Sequence, residues 1–125
     1  MWMIIFFVIT INLIPLMMFI FGLYFHKSPP KEISDYIGYR TKYSKLNQDT
    51  WTFANKFMGI LWFRLSFVVL AFSLIPIPFI YNKNQEVIAI ILVSTLLVQT
   101  LILIISIIPV EIALRKHFDS KGNRK

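Results

Sequence analysis

Residues 87–114 read VIAIILVSTLLVQTLILIISIIPVEIAL, 28 positions with one charge, Glu111, close to the end. A helix needs about 20 apolar residues to cross a ~30 Å hydrocarbon core. No 3.6-residue alternation of polar and apolar positions marks a single wet face, so a buried helix of a soluble domain is a poor alternative. The stretch therefore predicts a transmembrane helix. Working outward, residues 57–81 carry one charge, Arg64, and residues 1–25 carry none. No basic region precedes the first block, and Phe25-His26-Lys27 offers no small-residue cleavage site, so it reads as a retained helix rather than a signal peptide. The fold class is an all-α integral membrane protein of three transmembrane helices. A single membrane domain covers 1–125, with spans near 1–25, 57–81 and 87–114 and a loop over 26–56.

Composition agrees. The chain is 57% hydrophobic and 15% charged, with a mean hydropathy of +0.68, against about 25% charged in soluble domains. The net charge of +7 lies outside the apolar blocks. Loop 26–56 sets Lys27, Lys31, Arg40, Lys42, Lys45 and Lys56 against Glu32, Asp35 and Asp49, a net of +3. The tail sets Arg115, Lys116, Lys121, Arg124 and Lys125 against Asp119, a net of +4. The turn at 82–86 is neutral. Basic segments stay in the cytoplasm, and two spans separate these two, so both fall on the same side. The expectation is an outside N-terminus, an inside C-terminus and a cytoplasmic loop between the first two helices. Pro76 and Pro78 close the second helix, and the Asn-rich turn makes helices two and three a hairpin.

Several classes drop out. The chain has no cysteine and only two histidines, His26 and His117, so neither a thiolate site nor an HExxH-type zinc pair is available. No metal or cofactor is expected, and no Ser/His/Asp arrangement supports an enzyme. The basic residues flank the spans as topology demands, so direct nucleic-acid binding is not expected.

The loop carries the information. Residues 38–62 read GYRTKYSKLNQDTWTFANKFMGILW. Asn47 suits a helix N-cap, with Asp49 favouring the positive end of the first turn. Beyond it Trp51, Asn55, Gly59 and Trp62 recur at spacings of four, four and three, which places them on one face of a helix entering the membrane. Two readings of that face stand side by side. In one, Trp51 and Trp62 are interface anchors, Asn55 is solvated and Gly59 lets another backbone approach. In the other, the face joins Arg40 to line a cytoplasmic-side recess for a polar or anionic ligand, with Arg40 holding a phosphate or carboxylate bidentately and the loop amides assisting. Level counting from the hairpin sets Glu111 beside Phe57 and Met58, so a polar cluster of Asn55, Lys56, Arg64 and Glu111 is expected there. Arg64 alone also suits snorkelling to the headgroups. Gln99, Ser94 and Thr95 suit hydrogen bonds between helices.

The string Gly38-Tyr39-Arg40-Thr41, then Ser44, Asn47, Thr50-Trp51, Phe53-Ala54-Asn55 and Gly59, resembles the signature of the SdpI/YfhL family of small bacterial membrane proteins. Pro29-Pro30-Lys31 also fits, and the three spans extend the likeness over nearly the whole chain. Ser34 and Ile37 depart from the expected Asn and aromatic residue. The resemblance implies a multi-pass protein of the bacterial cell membrane that gives immunity to a secreted antimicrobial peptide toxin. It also implies a receptor role, holding a cytoplasmic transcriptional regulator at the membrane. It makes Arg40, Thr41, Asn47, Trp51 and Asn55 the candidate partner-binding residues, in contact with membrane lipids. The alternative is a small transport or lipid-handling protein, which needs a homo-oligomer to enclose a path.

Overall fold

The computed structural model describes residues 2–33 and 38–125; Ser34 and Ile37, where the signature departs, lie outside the described residues, as does Asp35. Among the described residues four α-helices run in order: α1 (Trp2–Lys27), α2 (Gln48–Leu74), α3 (Gln85–Ile105) and α4 (Ile107–His117). Among the same residues three segments, Trp2–Lys27, Gln48–Phe79 and Gln85–His117, are long and apolar enough to span a membrane. The chain is a multi-pass, all-helical membrane protein.

At 1.5 Å per residue the 27 residues of α2 extend about 40 Å, some 10 Å beyond the hydrocarbon core. Its first two turns therefore stand outside, and the connection from α1 is shorter than 26–56. The far end also falls short of residue 81. Pro76 and Pro78 lack the N–H groups that Phe72 and Leu74 would accept from. The chain tightens into a 3-10 turn at Ile77–Phe79, and Asn82 takes a positive φ of 66°. Asn84 then caps α3 through Val87 N–H. The third span is likewise not one helix, because Pro109 cannot donate to Ile105. The break falls at Ser106, and Pro109 occupies the first turn of α4, where no intrahelical donor is required.

Lipid tails are as apolar as leucine, so close packing and internal hydrogen bonds must hold the helices together. At the α1–α2 crossing a Cβ on Gly59 would stand 2.5 Å from His26 N, and one on Gly22 would stand 2.5 Å from Phe63 N. The backbones touch there, as the gap at Gly59 predicts. Deeper in the bundle, Pro15 leaves the Ile11 carbonyl without its helical donor. Gln99 Nε2 supplies one at 2.8 Å and also donates to Ser73 Oγ at 2.6 Å, linking α1, α2 and α3. Thr95 bonds within its own helix to Ile91 O, and Ser94 is exposed, so of the three residues expected to bond between helices Gln99 is the one that does so.

Candidate functional site

At the end carrying the basic residues, the loop folds back onto the protruding turns of α2. Asn47 caps the helix: its Oδ1 accepts Thr50 N–H at 2.9 Å, while Thr50 Oγ1 accepts Asn47 N–H at 3.0 Å. Two of the donors left open at the helix start are thereby satisfied reciprocally. Thr41 Oγ1 accepts Ser44 N–H, and the Ser44 hydroxyl donates to Thr41 O at 2.7 Å. One turn into α2, the Trp51 indole donates to Pro30 O at 2.7 Å, tying down the start of the loop.

Asn55 is fully buried and holds the backbone of Tyr39 by both its N–H and its carbonyl. Its Oδ1 accepts Tyr39 N–H at 2.6 Å, and its Nδ2 donates to Tyr39 O at 3.3 Å. Gly38 makes this approach possible, since it takes φ +97° and a Cβ there would fall on Asn55 Oδ1. The clamped backbone aims the Tyr39 ring inward, where its hydroxyl donates to Glu111 Oε1 of α4 at 2.6 Å. Burial first, then this bond and the carboxylate charge, push the Tyr39 phenol well above its ordinary value and keep it a donor.

The C-terminal tail completes the unit. The Tyr43 hydroxyl lies 2.7 Å from both Phe118 O and Asp119 O, and Asn47 Nδ2 donates to Gly122 O at 2.7 Å. Asp119 Oδ1 accepts from Lys121 N–H and Asn123 N–H. Arg124 meets Asp49 bidentately at 2.8 and 2.9 Å. Beneath lies a core of Phe25, Tyr39, Ala54, Met58, Val110, Leu114 and Phe118.

Thr41, Asn47, Trp51 and Asn55 are thus brought together, but their polar groups are bonded to the chain itself. Arg40 is exposed and sits on the rim of a recess of about 530 Å³ between the loop, α2 and the α3–α4 junction. Trp62 forms part of its wall, with its indole N–H on Ser106 Oγ at 3.1 Å. The expected polar cluster is not assembled. Among the described residues Glu111 pairs with neither Lys56 nor Arg64; its partner is Tyr39. Lys56 follows Asn55 by one position, a turn of about 100°, and Arg64 lies about 140° round from Gly59, so both are exposed on the outer side of α2. Tyr39, Tyr43 and the tail are the parts that sequence reasoning missed. A buried aromatic hydroxyl needs a partner, but periodicity does not say which.

A model of the SdpI/YfhL protein family matches residues 31–110, which takes in the loop, α2 and the turn into α4. No curated protein and no solved structure matches the chain.

Proposed function

Because the chain belongs to the SdpI/YfhL protein family, and is thereby an immunity-type membrane protein, we propose that it protects its cell from a secreted antimicrobial peptide toxin. In this reading the basic end faces the cytoplasm. The unit of loop, protruding α2 turns and tail is the surface on which a cytoplasmic transcriptional regulator docks. The observation that carries it is the Asn55–Tyr39 clamp. It fixes a 10-residue loop segment, 38–47, to a helix that runs on into the bilayer without interruption, so an event at membrane depth and the posture of the loop are mechanically joined.

The test is a challenge of deletion and overexpression strains with a panel of secreted antimicrobial peptides. Deletion is expected to sensitise cells to one peptide or a few related ones, and overexpression to protect against the same ones. A uniform loss of envelope integrity or of uptake, with no peptide selectivity, would refute immunity and support the transport or lipid-handling reading.

A further inference from the structure

Gly59 stands against Phe25 and His26, so about three turns of α2, roughly 16 Å, rise beyond the end of α1. The chain after Lys27 climbs this rise and is fastened to it twice. The Trp51 indole donates to Pro30 O at 2.7 Å, and the Gln48 side-chain amide donates to Lys31 O. Between the segment and the helix lies a cavity of about 310 Å³, lined by Lys27, Ser28, Lys31 and Thr52, with Pro29, Pro30 and Gln48 completing its wall. Its lining is rich in donors and poor in acceptors. The two carbonyls just named are occupied, and no carboxylate is found in the wall among the described residues. Asp49, the acid in the first turn of α2, is held by Arg124. Thr52 Oγ1 accepts Gln48 Nε2 at 3.1 Å, which leaves its hydroxyl hydrogen to give. Ser28 N–H closes a helical turn on Tyr24 O at 2.7 Å, and its hydroxyl has no partner among the described residues. Neither Lys27 nor Lys31 has an ion pair or side-chain hydrogen bond among those residues, whereas Arg40 and Lys45 at the larger recess are already engaged.

Membrane topology asks for positive charge at this end. It does not ask for a cavity lined by both lysines, nor for hydroxyl donors in its wall. From this set of donors we propose that the cavity binds one phosphate group, with its oxygens on the Lys27 and Lys31 ammonium groups and the Ser28 and Thr52 hydroxyls. Charge-assisted bonds of this kind are the strong ones. Two cations with no compensating carboxylate favour a doubly charged phosphate monoester over a singly charged diester. The group has two available sources. Lys27 ends the uncharged stretch of α1, and Ser28 stands one turn above Tyr24, which is 60% exposed on the lipid-facing side. A phospholipid can therefore present its phosphate here with its chains descending past Tyr24, and free phosphate can enter from the water. The site is independent of the immunity reading and stands or falls separately from it.

The experiment is native mass spectrometry of the full chain in non-ionic detergent, titrated with phosphatidic acid, with phosphatidylcholine and with inorganic phosphate. A one-to-one adduct is expected, formed with phosphatidic acid at lower concentration than with phosphatidylcholine, or formed with inorganic phosphate. Displacement of the lipid adduct by inorganic phosphate supports the site and makes the free anion its ligand; a lipid adduct that resists displacement supports it and makes the headgroup the ligand. Lys27→Gln with Lys31→Gln should weaken the adduct on the order of 25-fold, since a lysine near the surface is worth about fivefold. Lys116→Gln with Lys121→Gln, the same loss of charge in α4 and the tail, should leave it intact. Ser28→Ala with Thr52→Val removes two hydroxyls and no charge, and should weaken it about tenfold in a chain that keeps its helical circular dichroism. Three results would overturn the proposal. One is neither a preference for phosphatidic acid nor a phosphate adduct. Another is equal weakening by the Lys116 and Lys121 changes. The third is an unchanged adduct in the hydroxyl variant, which would reduce the lysines to general attraction for anions.

Discussion

Replacing Asn55 by alanine distinguishes a residue that builds the loop from one that meets a partner. The Asn55 amide makes two bonds to Tyr39 and a third to Trp51 O in its own helix. Their loss is unequal. Tyr39 O keeps the Ser44 hydroxyl at 3.3 Å, and Trp51 O remains within the helix ladder. The Tyr39 N–H has no second acceptor among the described residues, so it becomes a buried, unpaired donor. That costs about 1–3 kcal/mol, and the void left by the side chain adds roughly 1 kcal/mol. Loop 38–47 should lose about 2–4 kcal/mol of its local stability. At 1.4 kcal/mol per tenfold, this is roughly a 30- to 700-fold acceleration of amide exchange at Tyr39.

The assay is hydrogen exchange of the purified chain in nanodiscs, read at loop residues and at mid-α2 amides as a control. Gly38→Ala reaches the same contact from the other side and should accelerate exchange similarly. If Asn55→Ala abolishes function while Tyr39 keeps its protection, the scaffold argument is wrong and Asn55 is a contact residue.

Three further outcomes follow from the geometry. Gly59→Ala sets a Cβ 2.5 Å from His26 N and 2.8 Å from Phe25 C, both backbone atoms that cannot swing away; unfolding measured by steric trapping should be easier by about 1–3 kcal/mol. Gln99→Leu removes the donor to Ile11 O and should cost about 1 kcal/mol in the same assay, and Pro15→Ala, which restores a helical N–H to that carbonyl, should recover most of it. For orientation, a cysteine placed at Asn84 should react with an impermeant thiol reagent on intact cells and one at Lys121 should not; the opposite pattern would reverse the topology and place the loop outside.

The bilayer made the fold easy to read. Every backbone group in hydrocarbon must be satisfied within the segment, so three long apolar blocks leave little choice but three helices. Asn47 was legible as a cap, because a short amide before an amphipathic run has one common use. Gly59 was legible as a contact, because a missing side chain in a membrane helix is most useful against another backbone. The far end of α2 and the break at Ser106 were harder to place. Proline announces a missing donor, but the helix yields where the orphaned carbonyl lies, up to four residues earlier.

The site was read less well, and the reason is physical. Level counting gives height along the bundle but not rotation about each helix axis. It set Glu111 level with Phe57 and Met58 and then supplied the nearest cations in sequence, Lys56 and Arg64, which are exposed on the outer side of α2. The true partner, Tyr39, arrives from a loop whose path depends on Gly38 at φ +97°, a conformation that carries no periodic signal. The same geometry changes what the signature residues report. Ser44, Asn47, Thr50, Trp51 and Asn55 spend their polar groups on the chain's own backbone. A partner that meets this end of the protein must therefore be told apart by the side chains the scaffold holds outward, among them Arg40 and Lys42, and by the recess beside them. Most of the string would then fix the loop's shape, while Arg40 within it and Lys42 between its members would set what the loop recognises.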